Sequence, residues 1–105
     1  MVKEADDTSF ENEVLQARIP VLVDFTATWC GPCKKLEPIV KEVAEAYGDR
    51  LKVVKVDVDR ARGTAARFGI LSVPVLLLFR DGTVRDQMSG LVSRSAIAQR
   101  VDKVL

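Results

Sequence analysis

Short, almost wholly apolar runs separated by charged and turn-forming residues dominate the pattern of this chain. Such runs are typical of strands that are buried on both faces of a sheet. Three of them occur, at 21–26, 51–58 and 75–79. The pair Asp81-Gly82 is a strong signal for a tight hairpin, so a further strand is predicted at about 83–88. Residues 2–5 are predicted to form a short edge strand.

Between the strands, apolar residues recur at the period of an α-helix. The longest such pattern predicts a helix from about Cys33 to Tyr47 that contains Pro38 and ends at Gly48. Its inward face consists of Leu36, Ile39, Val40, Val43, Ala44 and Tyr47.

Three shorter helices are predicted from capping signals and from the same periodicity. Thr8 followed by Glu11 fits a capping box that opens a helix reaching about Arg18. A second short helix is predicted over about 60–68, and Ser93 is the predicted N-cap of the last one. The inner face of that last helix is expected to hold Ile97, Val101, Val104 and Leu105.

The predicted order of elements is β-α-β-α-β-α-β-β-α, which defines an α/β fold. Strands joined through a helix are expected to run parallel, whereas the hairpin adds an antiparallel pair. The result is a mixed sheet with helices on both faces. In such sheets the active site lies beyond the carboxyl ends of the parallel strands, and the stretch 29–33 falls there.

Composition and charge narrow the class of protein. The chain has 105 residues, of which 48% are hydrophobic, and this predicts one domain spanning 1–105. A formal net charge of +1, with both signs interspersed, argues against a nucleic-acid-binding or membrane-surface protein. No apolar run approaches the ~18 residues of a membrane span, and the first residues lack the pattern of a signal peptide. We therefore expect a cytoplasmic protein.

Candidate chemistry is concentrated in Trp29-Cys30-Gly31-Pro32-Cys33, which holds the only two cysteines and the only tryptophan. The stretch lies between a strand and a helix, where free backbone N–H groups and the helix dipole favour a thiolate. Pro32 suits a first-turn position. The chain contains no histidine, so Cys-His catalysis and His-ligated metal sites are excluded. A zinc site requires four ligands, and this chain has two cysteines and no histidine. Only a zinc site shared between two subunits remains formally open.

Asp24 lies inside an apolar strand, where an ionised carboxylate is costly unless it is compensated. It is either a strand-end residue bonded to a neighbouring loop or a buried proton acceptor with a raised pKa. Lys55 is either a solvated strand residue or a partner of that carboxylate.

Several of these features occur together with other motifs, namely Val23-Asp24-Phe25, Trp29 to Lys34, Pro38, Lys55, Val73-Pro74, Asp81-Gly82 and Gly90. With these residues the sequence resembles the thioredoxin family over nearly its whole length. The resemblance implies the thioredoxin fold, a five-stranded mixed sheet flanked by four helices, and reduction of disulfides in other proteins. One departure is Thr26, which stands where bacterial members commonly carry a second tryptophan.

The resemblance also implies roles for individual residues. Cys30 is expected to be the exposed nucleophile, Cys33 the resolving thiol and Asp24 its proton acceptor, with Lys55 tuning that carboxylate. The bond between Val73 and Pro74 is expected to be cis. An uncharged substrate-binding rim is expected to consist of Trp29, Gly31, Pro32, Val73, Pro74 and Gly90.

We therefore expect a monomeric thiol-disulfide oxidoreductase that is recycled by a thioredoxin reductase and needs no bound cofactor or metal. An oxidant or isomerase is disfavoured by Gly31-Pro32 between the cysteines. A non-catalytic subunit of the same fold is disfavoured because the cysteine pair, Asp24 and Pro74 are all present.

Overall fold

Five strands form one mixed sheet in this computed structural model, which describes residues 1–105. The strands are β1 (Val2–Ala5), β2 (Val21–Thr26), β3 (Lys52–Asp57), β4 (Val75–Arg80) and β5 (Thr83–Ser89), in the spatial order β1-β3-β2-β4-β5. The helices are α1 (Gly31–Tyr47), α2 (Arg62–Arg67) and α3 (Arg94–Asp102), together with a π-helix at Glu11–Leu15 and a 3-10 turn at Gly48–Arg50. The expected α/β fold, with a five-stranded mixed sheet and four helices, is confirmed.

The direction of β4 differs from the prediction that helix-linked strands run parallel. β1, β3 and β2 are parallel, whereas β4 is antiparallel to both β2 and β5. A helix in the connection does not by itself decide the direction, because the shorter π-helix at Glu11–Leu15 joins two parallel strands. The segment 58–74 crosses over without returning along the sheet, so β4 starts at the end of the sheet where β3 finishes.

Apolar clusters cover both faces of the sheet. On one face α1 and α3 pack over a cluster that includes Leu22, Leu36, Val40, Val53, Leu76, Leu78, Ile97 and Val101. On the other face the π-helix and α2 lie over a cluster that includes Phe10, Val14, Val23, Phe25, Val54, Val56, Ala61, Leu77 and Phe79. β2 contributes to both clusters because its side chains alternate between the faces. None of the helices combines the length and hydropathy needed to cross a lipid bilayer.

The first helical segment begins differently from the capping box predicted at Thr8 and Glu11. Asp6 is the capping residue, since its Oδ1 accepts hydrogen bonds from the backbone N–H groups of Thr8 (2.9 Å) and Ser9 (3.1 Å). Ser9 Oγ accepts in return from the backbone N–H of Asp6 at 3.0 Å. Asp and Thr are both good N-caps, so the sequence held two overlapping signals. The helix ends as the π-helix at Leu15 and does not reach Arg18.

α2 receives its N-terminal cap from a distant part of the chain. Its own N-cap residue, Ala61, has no side-chain acceptor. The carboxylate of Asp7 accepts hydrogen bonds from the backbone N–H groups of Gly63 (3.2 Å) and Thr64 (2.8 Å) and from the Thr64 hydroxyl (2.7 Å). The hydrogen bond from the Thr64 hydroxyl makes the largest contribution to lowering the pKa of Asp7 below its usual value. The segment after β1 is thus tied to α2.

The remaining helix ends agree with the sequence except at the C-terminus. Gly48 ends α1 with a φ of 53°, and Ser93 Oγ accepts a hydrogen bond from the Ala96 N–H at 3.1 Å at the start of α3. α3 ends at Asp102, so the expectation that Leu105 lies on its inner face is wrong. Leu105 is exposed because the helix stops before it.

The hairpin between β4 and β5 turns at Asp81 and Gly82, whose φ angles are 54° and 76°. Positive φ at both central positions is characteristic of a type I′ turn, which matches the twist of the flanking strands. A Cβ atom at Gly82 would also lie 2.9 Å from the backbone oxygen of Leu15. The turn is therefore packed against the end of the π-helix.

Gly82→Ala is expected to destabilise the fold more than Gly69→Ala. Both positions have positive φ, with Gly69 at 67°, but a Cβ at Gly69 meets no atom within 4 Å. Gly69→Ala should lower the free energy of unfolding by about 1–2 kcal/mol for the backbone conformation alone. Urea unfolding of the two variants isolates the contact with Leu15, and equal losses would show that the contact relaxes freely.

Candidate active site

Cys30 and Cys33 form a disulfide at the junction of β2 and α1. Cys30 is the N-cap residue of α1, and its Sγ accepts a hydrogen bond from the backbone N–H of Cys33 at 3.2 Å. Pro32 lies in the first turn, as predicted, where its missing N–H leaves no helix bond unmade. The helix N-terminus thus directs a donor and its positive dipole end at Cys30 Sγ.

The expectation that Cys30 is exposed is wrong for this disulfide form. Cys30 is 4% exposed and Cys33 is 2% exposed. The pair packs against Ala27, with Val58 and Val73 beside it. The exposed residues are instead the neighbours of Cys30, namely Trp29, Gly31 and Pro32. In the disulfide form, the accessible surface at this point is therefore formed by the residues beside Cys30 and not by its sulfur.

The segment before β4 passes next to the sulfurs. The bond between Val73 and Pro74 is cis, as predicted, and the carbonyl oxygen of Val73 lies 3.8 Å from Cys30 Sγ. Neither the N–H nor the C=O of Val73 makes a backbone hydrogen bond. Pro74 is buried, and its carbonyl oxygen accepts a hydrogen bond from the Gly90 N–H at 2.9 Å. Three sequence-distant segments therefore meet around Cys30.

Trp29 is held by a carboxylate that the sequence did not indicate. Its side chain is 69% exposed, and the indole N–H donates a hydrogen bond to Asp59 Oδ2 at 2.8 Å. Asp59 lies in the loop after β3, and its own N–H donates to Asp57 Oδ1 at 2.9 Å. The only signal in the sequence was the cluster of acidic residues that ends β3. This bond fixes an exposed aromatic ring next to Cys30.

Two exposed leucines extend the apolar surface and were also missed. Leu71 is 99% exposed and precedes Val73 by two positions, while Leu91 is 52% exposed and follows Gly90. Neither belongs to a periodic pattern, so periodicity did not distinguish them from other loop residues. Their positions place apolar side chains on the two loops that flank Pro74.

Asp24 lies beneath α1 in the central strand. It is on the same face of β2 as Leu22, which packs under α1, and it is 3% exposed. Its Oδ1 is buried without a hydrogen-bond partner, so the interpretation as a strand-end residue bonded to a loop has no support. Burial raises the pKa of Asp24 from 3.8 to about 6, opposed by the charge of Lys55 and assisted by that of Glu37.

Lys55 pairs with Asp24 in the register of β2 and β3. Residues paired in this way project to the same face of the sheet, so Lys55 lies beside the buried carboxyl as expected. The two side chains, with Glu37 of α1, line a cavity of about 220 Å³. Thr26 lines a neighbouring cleft of about 390 Å³ that is also bordered by Glu37 and Lys55.

The site unites a disulfide, a helix N-terminus that stabilises a thiolate and a buried carboxyl on the same side of the sheet. A disulfide in such a setting can open and close reversibly. The class of protein that the fold and site define is a thiol-disulfide oxidoreductase.

Comparisons with known proteins identify the family. A family model described as Thioredoxin matches residues 1–103. The chain is 46% identical over 99 residues to Thioredoxin 1 of Synechococcus elongatus, covering 94% of this chain and 92% of that protein. It is 41% identical over 103 residues to Thioredoxin of Rickettsia prowazekii, covering 98% of both chains, and 45% identical over 96 residues to Thioredoxin of Pseudomonas aeruginosa, covering 91% and 89%. The chain belongs to the thioredoxin family.

Asp24→Asn is expected to stabilise the protein above about pH 6 but not at pH 4. Because the folded-state pKa is raised from 3.8 to about 6, the contribution of Asp24 to stability is complete below pH 3.8 and is lost as the pH rises through 6. Complete loss corresponds to on the order of 2–3 kcal/mol. Urea unfolding from pH 4 to pH 8 measures the difference.

The exposed Asp49 provides the control for this measurement. Asp49→Asn removes a carboxylate of the same type from the surface, and it should show no comparable gain near neutral pH. A difference between wild type and Asp24→Asn that stays constant from pH 4 to pH 8 would contradict the raised pKa of Asp24.

Proposed function

We propose that this chain, acting as a single domain, is a protein-disulfide reductase in which Cys30 attacks the substrate and Cys33 resolves the intermediate. The observation that carries the proposal is the Cys30–Cys33 disulfide at the N-terminus of α1, next to Val73, whose N–H and C=O make no backbone hydrogen bond. Membership of the thioredoxin family implies disulfide substrates and a reductase that recycles the protein.

In the first step the reduced protein uses the Cys30 thiolate. The thiolate attacks one sulfur of a substrate disulfide, a mixed disulfide forms, and the other substrate sulfur leaves as a thiolate. Two features favour Cys30 over Cys33 in this role. Cys30 caps the helix and accepts the Cys33 N–H, and it is flanked by the exposed Trp29 and Gly31. Cys33 lies within the buried face of α1.

In the second step Cys33 resolves the mixed disulfide. Its thiolate attacks Cys30 Sγ, the bond to the substrate breaks, and the substrate leaves with a reduced sulfur. Cys33 must lose a proton first, and Asp24 is the proposed acceptor because its pKa of about 6 lies close to neutral pH. Lys55 assists by its charge, which favours the ionised carboxylate. Two electrons pass from the Cys30–Cys33 dithiol to the substrate disulfide by exchange between sulfur atoms, so the proposed cycle calls for no bound cofactor or metal.

Substrate recognition is assigned to the uncharged surface around Cys30. The unpaired N–H and C=O of Val73 are suited to pair with an extended substrate segment, and this would align its disulfide with Cys30. An apolar surface with few charges selects weakly among partners, which suits a general reductase. The proposed contact residues are Trp29, Gly31, Pro32, Val73 and Gly90, and Pro74, which is itself buried, is proposed to hold Val73 at this surface.

The oxidised protein returns to the dithiol form through a thioredoxin reductase. We place this cycle in the cytoplasm, as for a reductant that works among reduced thiols. The protein is proposed to act as a monomer, because the surface around Cys30 must stay accessible to substrates and to the reductase in turn.

Single cysteine variants test the division of labour. Cys33→Ser should accumulate a mixed disulfide with an oxidised protein substrate, approaching roughly one equivalent, because the intermediate cannot be resolved. Cys30→Ser should trap almost none. Non-reducing electrophoresis followed by mass spectrometry measures both. Preferential trapping by Cys30→Ser would reverse the two assignments.

Steady-state reduction by the wild type and by the double serine variant tests the function itself. The wild type should reduce an interchain protein disulfide with dithiothreitol as electron source, and Cys30→Ser/Cys33→Ser should not exceed the rate with dithiothreitol alone. Equal rates for the two proteins would support a non-catalytic binding role.

Asp24→Asn is expected to slow the resolving step near neutral pH. Without the carboxylate, Cys33 must give its proton to water, and positioned general bases typically contribute 10²–10⁴-fold. Stopped-flow measurement of mixed-disulfide decay in otherwise unaltered protein isolates this step from the attack by Cys30. An unchanged decay rate from pH 5 to pH 9 would reduce Asp24 to a structural residue.

A further inference from the structure

A second carboxylate, Glu37, lies beside the Asp24 cavity and takes no part in the steps above. Glu37 follows Cys33 by one helical turn, and side chains spaced in this way are neighbours on a helix. Helical side chains also lean toward the N-terminus, which directs Glu37 to the turn that holds Cys33. Its side chain is 45% exposed, so it borders both the cavity and water.

Glu37 and Lys55 line two neighbouring spaces. The first is the cavity of about 220 Å³ that has Asp24 in its wall. The second is a cleft of about 390 Å³ that is bordered by exposed residues such as Thr28 and Arg60. Asp24 therefore shares its cavity with a carboxylate of α1 and a cation of β3.

Lys55 is not held by an ion pair. It forms no salt bridge, whereas Lys41 lies 3.8 Å from Glu37 Oε1. The charges of Lys55 and Glu37 act on Asp24 in opposite directions. The charged groups around Asp24 are Lys3 and Glu4 from β1, Glu37 and Lys41 from α1, and Lys55 from β3.

We propose that Glu37 is a positioning residue of this reductase, whose charge in the cavity that Asp24 lines opposes that of Lys55 and so sets the pH range in which Asp24 can accept the proton of Cys33. The inference rests on the proposed role of Asp24. Glu37 is the only carboxylate among the causes that raise the pKa of Asp24, after burial. Glu4 faces Lys55 across β1 and β3 but is not among those causes.

Removing the charge of Glu37 should change the titration of Asp24. Glu37→Gln takes a like charge out of the cavity that Asp24 lines. This change favours the ionised carboxylate of Asp24, so its titration should move to lower pH. One like charge acting through a partly hydrated cavity is worth about half a pH unit.

The first test titrates Asp24 directly in the oxidised protein, where neither cysteine ionises. The carboxyl carbon of Asp24, in protein labelled with ¹³C-aspartate, is followed by NMR from pH 3 to pH 9. We expect a downward shift of about half a pH unit in Glu37→Gln. Glu37→Asp keeps the charge and should stay near the wild type, and Glu45→Gln removes an exposed carboxylate elsewhere on α1 and should have no effect. No shift in Glu37→Gln, or an equal one in Glu45→Gln, overturns the proposal.

The second test measures the resolving step itself. A mixed disulfide is prepared between Cys30 and thionitrobenzoate, and attack by Cys33 releases the coloured thiolate. Below neutral pH, Glu37→Gln should resolve roughly threefold faster than the wild type, as a shift of half a pH unit requires. In an Asp24→Asn background the same substitution should have no effect, because Glu37 acts through Asp24.

The outcomes separate this proposal from the proposed function. If Asp24→Asn slows resolution but Glu37→Gln leaves its pH dependence unchanged, Asp24 is the proton acceptor and the role of Glu37 is refuted. If Glu37→Gln has the same effect with and without Asp24, Glu37 acts on Cys33 directly and the positioning role is refuted. If Asp24→Asn has no effect on resolution, the assignment of Asp24 fails, and the inference fails with it.

Discussion

The burial of β2 on both faces is the constraint on which the site depends. β2 is the central strand, paired with β3 on one side and β4 on the other, and residues 21–25 are all buried. Because the strand cannot shift without exposing both cores, the point at which the chain leaves the sheet is fixed. The turn that follows delivers Cys30 to the first turn of α1. The same burial places Asp24 where water solvates its charge poorly. One constraint therefore determines both the position of Cys30 and the raised pKa of Asp24.

The sequence predicted those features that depend on local pattern and missed those that depend on side chains meeting across the fold. The apolar runs located the strands, and the first-turn proline located the dithiol at the start of α1. The raised pKa of Asp24 could be anticipated as one of two alternatives. A carboxyl group inside an apolar strand is either bonded to a neighbouring loop or buried with a raised pKa. The partners of the site residues were not predictable in this way. Asp59 meets Trp29 only because the loop after β3 folds back over the turn before α1.

Two features of the fold, the direction of β4 and the cap at Asp6, could not be predicted from local sequence alone. The direction of β4 was mispredicted because a helix between two strands suggests a parallel crossover, whereas the segment that contains α2 leaves β4 to start at the end of the sheet where β3 finishes. The cap at Asp6 was missed because competing N-cap residues lie two positions apart, and the backbone N–H groups of Thr8 and Ser9 bond to Asp6. In both cases the local pattern was consistent with two structures.

The bond between Asp7 and α2 couples two parts of the chain that are far apart in sequence. α2 is a helix of six residues without a capping side chain of its own, and helices of that length are not stable in isolation. If the segment around Asp7 moves away, the N–H groups of Gly63 and Thr64 lose their acceptor. The two segments are therefore expected to open as one cooperative unit, with amide protons that exchange together. Because α2 follows the loop that holds Trp29, opening of this unit is also expected to loosen the ring beside Cys30.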